Sequence, residues 1–212
     1  MTAHNPTNNR WIGLLLLCYF SGLIGIGIPA YRALFLYFTP LNLLLTLVVF
    51  YKINNNFSVR FGVLSLLVFL LGFSIEAIGV ATGVLFGSYS YGDTFGVKLF
   101  ETPILIGVNW LFLAFSTYGT VQHFTKKAAW LILIPPVLMT LLDYIVEPVA
   151  IKLGFWTWEN DIIPLQNYAM WFITSLVIHA TIYQFKPKIN AKISFLIIGV
   201  QVSFFGILNL LL

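Results

Sequence analysis

Seven runs of about 20 mostly apolar residues, the length a helix needs to cross a hydrocarbon core of about 30 Å, dominate this chain. They lie at Trp11–Ala30, Ala33–Tyr51, Phe61–Leu85, Pro103–Val121, Ala128–Ala150, Asn167–Phe185 and Ile193–Leu212. Of the 212 residues 59% are apolar and 8% are charged, which leaves too little polar surface to cover seven apolar cylinders in water. A soluble domain is excluded, and so is a disordered chain. The lone Cys18 excludes a disulfide scaffold. The first run is too long for the apolar region of a signal peptide, and no convincing small-residue cleavage site follows it. The pattern predicts an all-α polytopic membrane helical bundle, a single integral membrane domain over residues 1–212. The two halves show none of the paired broken helices of inverted-repeat transporters.

The basic residues set an orientation. Arg10, Lys52, Arg60, Lys126, Lys127, Lys186, Lys188 and Lys192 fall on one side of seven alternating spans, and Arg32, Lys98 and Lys152 on the other. Positive charge is retained in the cytoplasm, so the bias predicts the amino terminus inside and the carboxyl terminus outside. The net charge of +4 is thereby read as topology, with no nucleic-acid surface.

All seven acidic residues gather toward the outer side. Asp93, Glu101, Glu159 and Asp161 occupy the two outward loops, while Glu76, Asp143 and Glu147 lie inside spans. An acid at mid-bilayer costs about 2.5–3.5 kcal/mol on insertion scales, so each intramembrane acid requires a reason. Asp143 and Glu147 are four residues apart, which stacks them on one helical face and predicts that one of them keeps a proton at neutral pH. Glu76 belongs to a stripe, Gly72, Glu76, Gly79 and Gly83, whose small residues admit a neighbouring backbone and turn Glu76 into the bundle. Pro135 and Pro136 are expected to bend the fifth span and open space near Asp143. A structural reading stands beside the functional one: the acids serve interhelical hydrogen bonds or reach to the interface, and the glycines form a packing seam.

Aromatic residues crowd the same side: Phe86, Tyr89, Tyr91, Phe155, Trp156, Trp158, Tyr168 and Trp171. An interfacial belt accounts for such residues one at a time; beside three carboxyls they also suit stabilisation of a cation. His123 and His179 have no ligand spacing, and no metal, nucleotide or thiol motif is present.

Two segments resemble a known family. The first is Glu76-x-x-Gly79-x-x-Thr82-Gly83-x-x-Phe86-Gly87-x-Tyr89-x-Tyr91. The second contains Asp143-x-x-x-Glu147-Pro148-x-Ala150, Gly154-x-Trp156-x-Trp158 and Ile163-Pro164-x-x-Asn167-Tyr168-x-x-Trp171. Both are similar to blocks of the carotenoid biosynthesis membrane proteins, a family that includes carotenoid 1′,2′-hydratases and bisanhydrobacterioruberin hydratase. Pro103 and Trp110 match its pattern at the fourth span. The likeness is strongest over Gly72–Trp171; Ala169 stands where many relatives have glycine, and Glu147 where many have aspartate.

The resemblance implies a cofactor-independent hydro-lyase, with no metal, that adds water to the terminal 1′,2′ double bond of an acyclic carotenoid held in the lipid bilayer. Glu76, Asp143 and Glu147 would be the catalytic carboxyls, with Asp143 or Glu76 as proton donor and Glu147, nearer the interface, as base. Tyr89, Tyr91, Trp110, Trp156, Trp158, Asn167 and Trp171 would bind substrate and water. Protonating a trisubstituted alkene leaves a tertiary cation that water captures, which requires an acid, a base and aromatic faces. The expected setting is a bacterial cytoplasmic (inner) membrane, alongside other carotenoid-pathway enzymes. A membrane carotenoid cyclase shares the protonation step. A proton-coupled carrier and a noncatalytic scaffold are the other readings left open.

Overall fold

The computed structural model describes residues 6–212. Residues 1–5, which the charge bias assigns to the cytoplasm, lie outside the described residues. Among the described residues eight α-helices account for most of the length: α1 (Pro6–Gly27), α2 (Pro29–Tyr37), α3 (Thr39–Asn54), α4 (Val59–Thr82), α5 (Ile104–Phe124), α6 (Ala128–Lys152), α7 (Leu165–Phe185) and α8 (Ala191–Leu211). Short strands β1 (Tyr89–Tyr91), β2 (Lys98–Leu99), β3 (Thr102–Pro103) and β4 (Trp156–Trp158) occupy the loops.

The helix boundaries follow ordinary capping chemistry. Ser58 accepts a hydrogen bond from the Phe61 amide at 3.3 Å and opens α4. Asn190 does the same for α8 through the amides of Lys192 and Ile193. Prolines at 103 and 164 immediately precede α5 and α7, where a missing amide hydrogen costs nothing. α6 runs as one helix through Pro135, Pro136 and Pro148 and carries Asp143 and Glu147 on successive turns.

α5 is the hub. Of its apolar window 78% is buried, against 22–39% for α1, α4, α6 and α8, and it packs on α3, α4, α6, α7 and α8. Around it the core includes Phe115 stacked between Phe50 and Phe61, with ring centroids 5.7 and 5.0 Å away. The remaining helices turn large apolar side chains outward, among them Leu17, Phe20, Leu66, Leu141 and Val177, the inverse of a soluble surface. The chain is an all-α polytopic membrane bundle.

Two expectations change. The second apolar run is divided at Phe38 into α2 and α3, bent by 56°, because Pro40 in the first turn of α3 cannot continue the hydrogen-bond ladder of α2. Among the described residues five helices are long and apolar enough to cross a membrane, six if the bent pair makes one crossing. The seventh candidate, α7, has 21 residues, about 30 Å of helix, but carries Asn167, Thr174, Ser175, His179 and Gln184 and turns much of this polarity inward.

Candidate functional site

The three intramembrane acids come from two helices. Glu76 sits near the end of α4; Asp143 and Glu147 occupy successive turns of α6. They are 4%, 3% and 1% exposed, so Glu147 is as thoroughly enclosed as Asp143 even though it lies a turn nearer the helix end. The expectation that Glu147 meets water because it is shallower is not met: the loop after α6 folds back over it. Among the described residues the one ion pair is Lys98–Asp93, at 3.0 Å on the surface. The buried acids are held by neutral donors.

Those donors are distributed unequally. Glu76 accepts from Tyr89 and Tyr91 at Oε2, the latter at 2.8 Å, and from the Trp110 indole at Oε1, 3.0 Å. Glu147 accepts from the indoles of Trp156 and Trp158 at Oε2, both at 2.9 Å, and from Asn167 Nδ2 at Oε1, 3.2 Å. Asp143 accepts one hydrogen bond, from the same Asn167 Nδ2 to its Oδ2 at 2.9 Å. Three donors make each glutamate an acceptor at both oxygens. Asp143 alone keeps an oxygen free of protein donors among the described residues.

A two-stranded ladder delivers four of these donors. β1 pairs antiparallel with β4 in the register Tyr89↔Trp158, Ser90↔Thr157, Tyr91↔Trp156. Side chains alternate across a strand, so a Tyr-x-Tyr facing a Trp-x-Trp puts all four polar aromatic heads on one face, toward the carboxyls. Ser90 and Thr157 take the other face, exposed and 3.1 Å apart. Burial, and then the Glu76 carboxyl beside them, push the Tyr89 and Tyr91 hydroxyls above the usual tyrosine range. Both remain protonated donors at any physiological pH. The strands were not expected from the sequence, although the alternation in Tyr-Ser-Tyr and Trp-Thr-Trp is their signature.

The glycine stripe works differently from the packing seam anticipated for it. A Cβ at Gly72 would come within 2.4 Å of the Trp110 side chain, and one at Gly79 within 2.6 Å of Phe86. Aromatic side chains, with no backbone among the nearest atoms, fill the space. Gly83 is outside the stripe: with φ +64 it is the left-handed cap that ends α4. Gly72 thus lets Trp110 lie flat, stacked on Trp171 at a centroid distance of 4.2 Å and 17° between planes, with its indole aimed at Glu76.

Two cavities meet at this place. The smaller, about 30 Å³, is lined by all ten candidate residues, Glu76, Tyr89, Tyr91, Trp110, Asp143, Glu147, Trp156, Trp158, Asn167 and Trp171, together with Phe86, Ile106 and Asn109. It has room for about two water molecules. The larger, about 510 Å³, extends between α1, α3, α5, α6 and α8, and is walled mainly by apolar side chains such as Leu14, Phe35, Leu113, Leu142 and Phe204. Ile106, Asn109, Asp143, Trp156 and Trp171 belong to both walls.

Residues the sequence reading passed over are therefore Asn109 at the junction and, in the larger cavity, Tyr19, Asn42 and Gln201. Tyr19 accepts from Gln201 at 3.0 Å and lies 3.1 Å from Thr46 Oγ1. Each is a polar residue inside an apolar run, a signal weaker than a carboxylate but of the same kind. Tyr168, counted with the aromatic cluster, packs on the exposed Tyr144 at 5.6 Å and lines neither cavity. Among the described residues no three His, Cys, Asp or Glu side chains gather as a metal ion would need.

The arrangement offers a water-sized polar chamber with acids and aromatic faces, sharing part of its wall with an apolar pocket of ligand size. Comparison with known proteins agrees with the motifs. The chain is 29% identical over 126 residues to a bisanhydrobacterioruberin hydratase of Haloarcula japonica; the match covers 56% of this chain and 43% of that relative, so this chain spans less than half of the relative's length. No solved structure matches. The family model described as carotenoid biosynthesis protein matches residues 37–211, and the chain belongs to that family.

Proposed function

We propose that this protein is a cofactor-independent carotenoid hydratase, adding water to the terminal 1′,2′ double bond of an acyclic carotenoid end group. The observation that carries the reading is Asp143, which lies in the wall common to the water-sized chamber and the apolar pocket. A polyene end entering the pocket meets one carboxyl that still has an oxygen free to carry and deliver a proton. The name of the Haloarcula relative points the same way.

The steps balance as follows. Asp143 gives its proton to the less substituted alkene carbon; the π electrons form the new C–H bond and leave a tertiary cation. The faces of Trp156 and Trp171, at the junction, favour the cation by about 0.5–2 kcal/mol each. A water in the chamber supplies its lone pair to the cation, and the oxonium proton passes to a glutamate carboxylate. Glu147 is the better placed base, because Asn167 donates to both it and Asp143 and so ties acid to base. Return of that proton to Asp143 completes the cycle. Glu76, with its three donors, holds the opposite wall. The site would lie in the outer half of a cytoplasmic membrane, in a seven-crossing bundle with the amino end inside.

Expression in a lycopene-producing host tests the reaction: a polar pigment heavier by one water is expected. An isomeric cyclic pigment would assign a cyclase instead, and an unchanged pigment would overturn both. Reporter fusions test the orientation. A carboxyl-terminal alkaline phosphatase should be active, and an inactive one would reverse it.

A further inference from the structure

Asn109 lies on the second turn of α5, beside Trp110, and lines both cavities. Of the side chains common to the two walls, only Asn109 and Asp143 carry oxygen. The Trp156 indole is already committed to Glu147. Asn109 is half-buried, and among the described residues its amide has no hydrogen-bond partner. Asn167, the other amide in the chamber, spends its donor group on two carboxyls. An unpaired amide beside a chamber of water size is a built partner for a water molecule: its oxygen accepts one O–H, while its NH₂ can donate to a second water or to an adjacent acceptor.

We propose that Asn109 is the positioning residue for the water that captures the cation, a role that rests on the hydratase reading above. Asn109 Oδ1 accepts one O–H of that water and a glutamate carboxylate accepts the other. The water's lone pair is left facing the apolar pocket, on the side where the cation forms. When the C–O bond closes, the proton lost by the oxonium goes to the carboxylate, because an amide does not take it. Asn109 therefore governs capture and leaves alkene protonation to Asp143. The two steps have separate isotopic records: a cation that escapes capture can lose a proton from the carbon that received the deuteron and return to the alkene with the label retained.

The test is turnover in D₂O by membranes carrying wild-type protein, Asn109→Leu and Asn109→Ser, scoring alcohol formed and deuterium in the recovered alkene. Asn109→Leu is expected to lower hydration about 10- to 100-fold, the scale of a mispositioned reactant, while deuterium in recovered alkene rises relative to alcohol by about tenfold. Asn109→Ser, which restores a hydroxyl and leaves space for water, is expected to recover part of the hydration. Parallel loss of alcohol and deuterium in both variants, at normal membrane levels, would overturn the proposal, as would unchanged hydration in Asn109→Leu. If Asn109→Leu does not accumulate, Asn109→Ser and Asn109→Ala are scored by the same ratio, and an unchanged ratio in both overturns it. A wild-type protein that yields neither alcohol nor label overturns the hydratase reading itself, an outcome distinct from failure at Asn109.

Discussion

Two of the buried polar clusters in this bundle are built on opposite plans. Around His179 the partners are mostly backbone: its Nδ1 lies 2.7 Å from the Ser175 carbonyl, and its Nε2 lies 3.2 Å from the Ala114 carbonyl and 3.1 Å from Thr117 Oγ1. The ring is fully buried and lines neither cavity. Around Glu76 on α4 and Asp143 and Glu147 on α6 the donors are side chains, they converge from α5, α7 and both strands of one ladder, and a space is left between them. Polarity within a membrane bundle is therefore no sign of chemistry by itself. A cluster closed on backbone fastens helices together, whereas a cluster of side chains facing a void is poised to act on what enters it.

The comparison breaks first at Asp143. Asp143→Asn keeps size and the contact with Asn167 but has no transferable proton, and hydration should fall by about 10²–10⁴-fold while the protein inserts at wild-type levels. Pigment ratios against immunoblot check this, and near-normal turnover would make the acids structural. Next is Trp158→Phe, which removes one of the two indole donors at Glu147 Oε2. A lost hydrogen bond to a charged group is worth about 1.5–3 kcal/mol, so a loss of roughly 10- to 100-fold in turnover is expected, with Trp156→Phe similar or larger because that ring also faces the pocket. His179→Leu should do the reverse: a stability loss of about 1–3 kcal/mol, read as a lowered Tm in detergent, with unchanged turnover per folded molecule. Reduced turnover in that variant would join the two clusters functionally. The smallest effect belongs to Ser90→Ala, which deletes an exposed hydrogen bond on the outer face of the ladder and should change stability by no more than about 0.5 kcal/mol.

Much of the site was legible because intramembrane acids are costly and so stand out. Glu76 and Asp143 were readable as buried, and the i, i+4 spacing in α6 put Asp143 and Glu147 on one face. What escaped was whatever depended on tertiary context. The strands at Tyr89–Tyr91 and Trp156–Trp158 are three residues each, and paired residues are 65 to 69 positions apart, so no local periodicity announced the ladder. Gly83 looked like a member of a helical stripe because the stripe's spacing continued through it, yet the helix had already ended. Glu147 was expected near water because depth was counted along one helix, and a folded-back loop was invisible to that count. Asn109 was hidden by being uncharged.

Each glutamate also travels with its own escort. The three donors to Glu76 lie 13, 15 and 34 residues downstream of it, and those to Glu147 lie 9, 11 and 20 residues downstream. During synthesis, then, an acid entering the bilayer waits only for the next stretch of nascent chain to supply its partners, and neither half depends on the other to shelter its charge. Biogenesis can proceed as two self-contained insertions, each ending in a hydrogen-bonded carboxyl. The ladder between β1 and β4 is then the late fastening that turns two insertable pieces into one polar chamber.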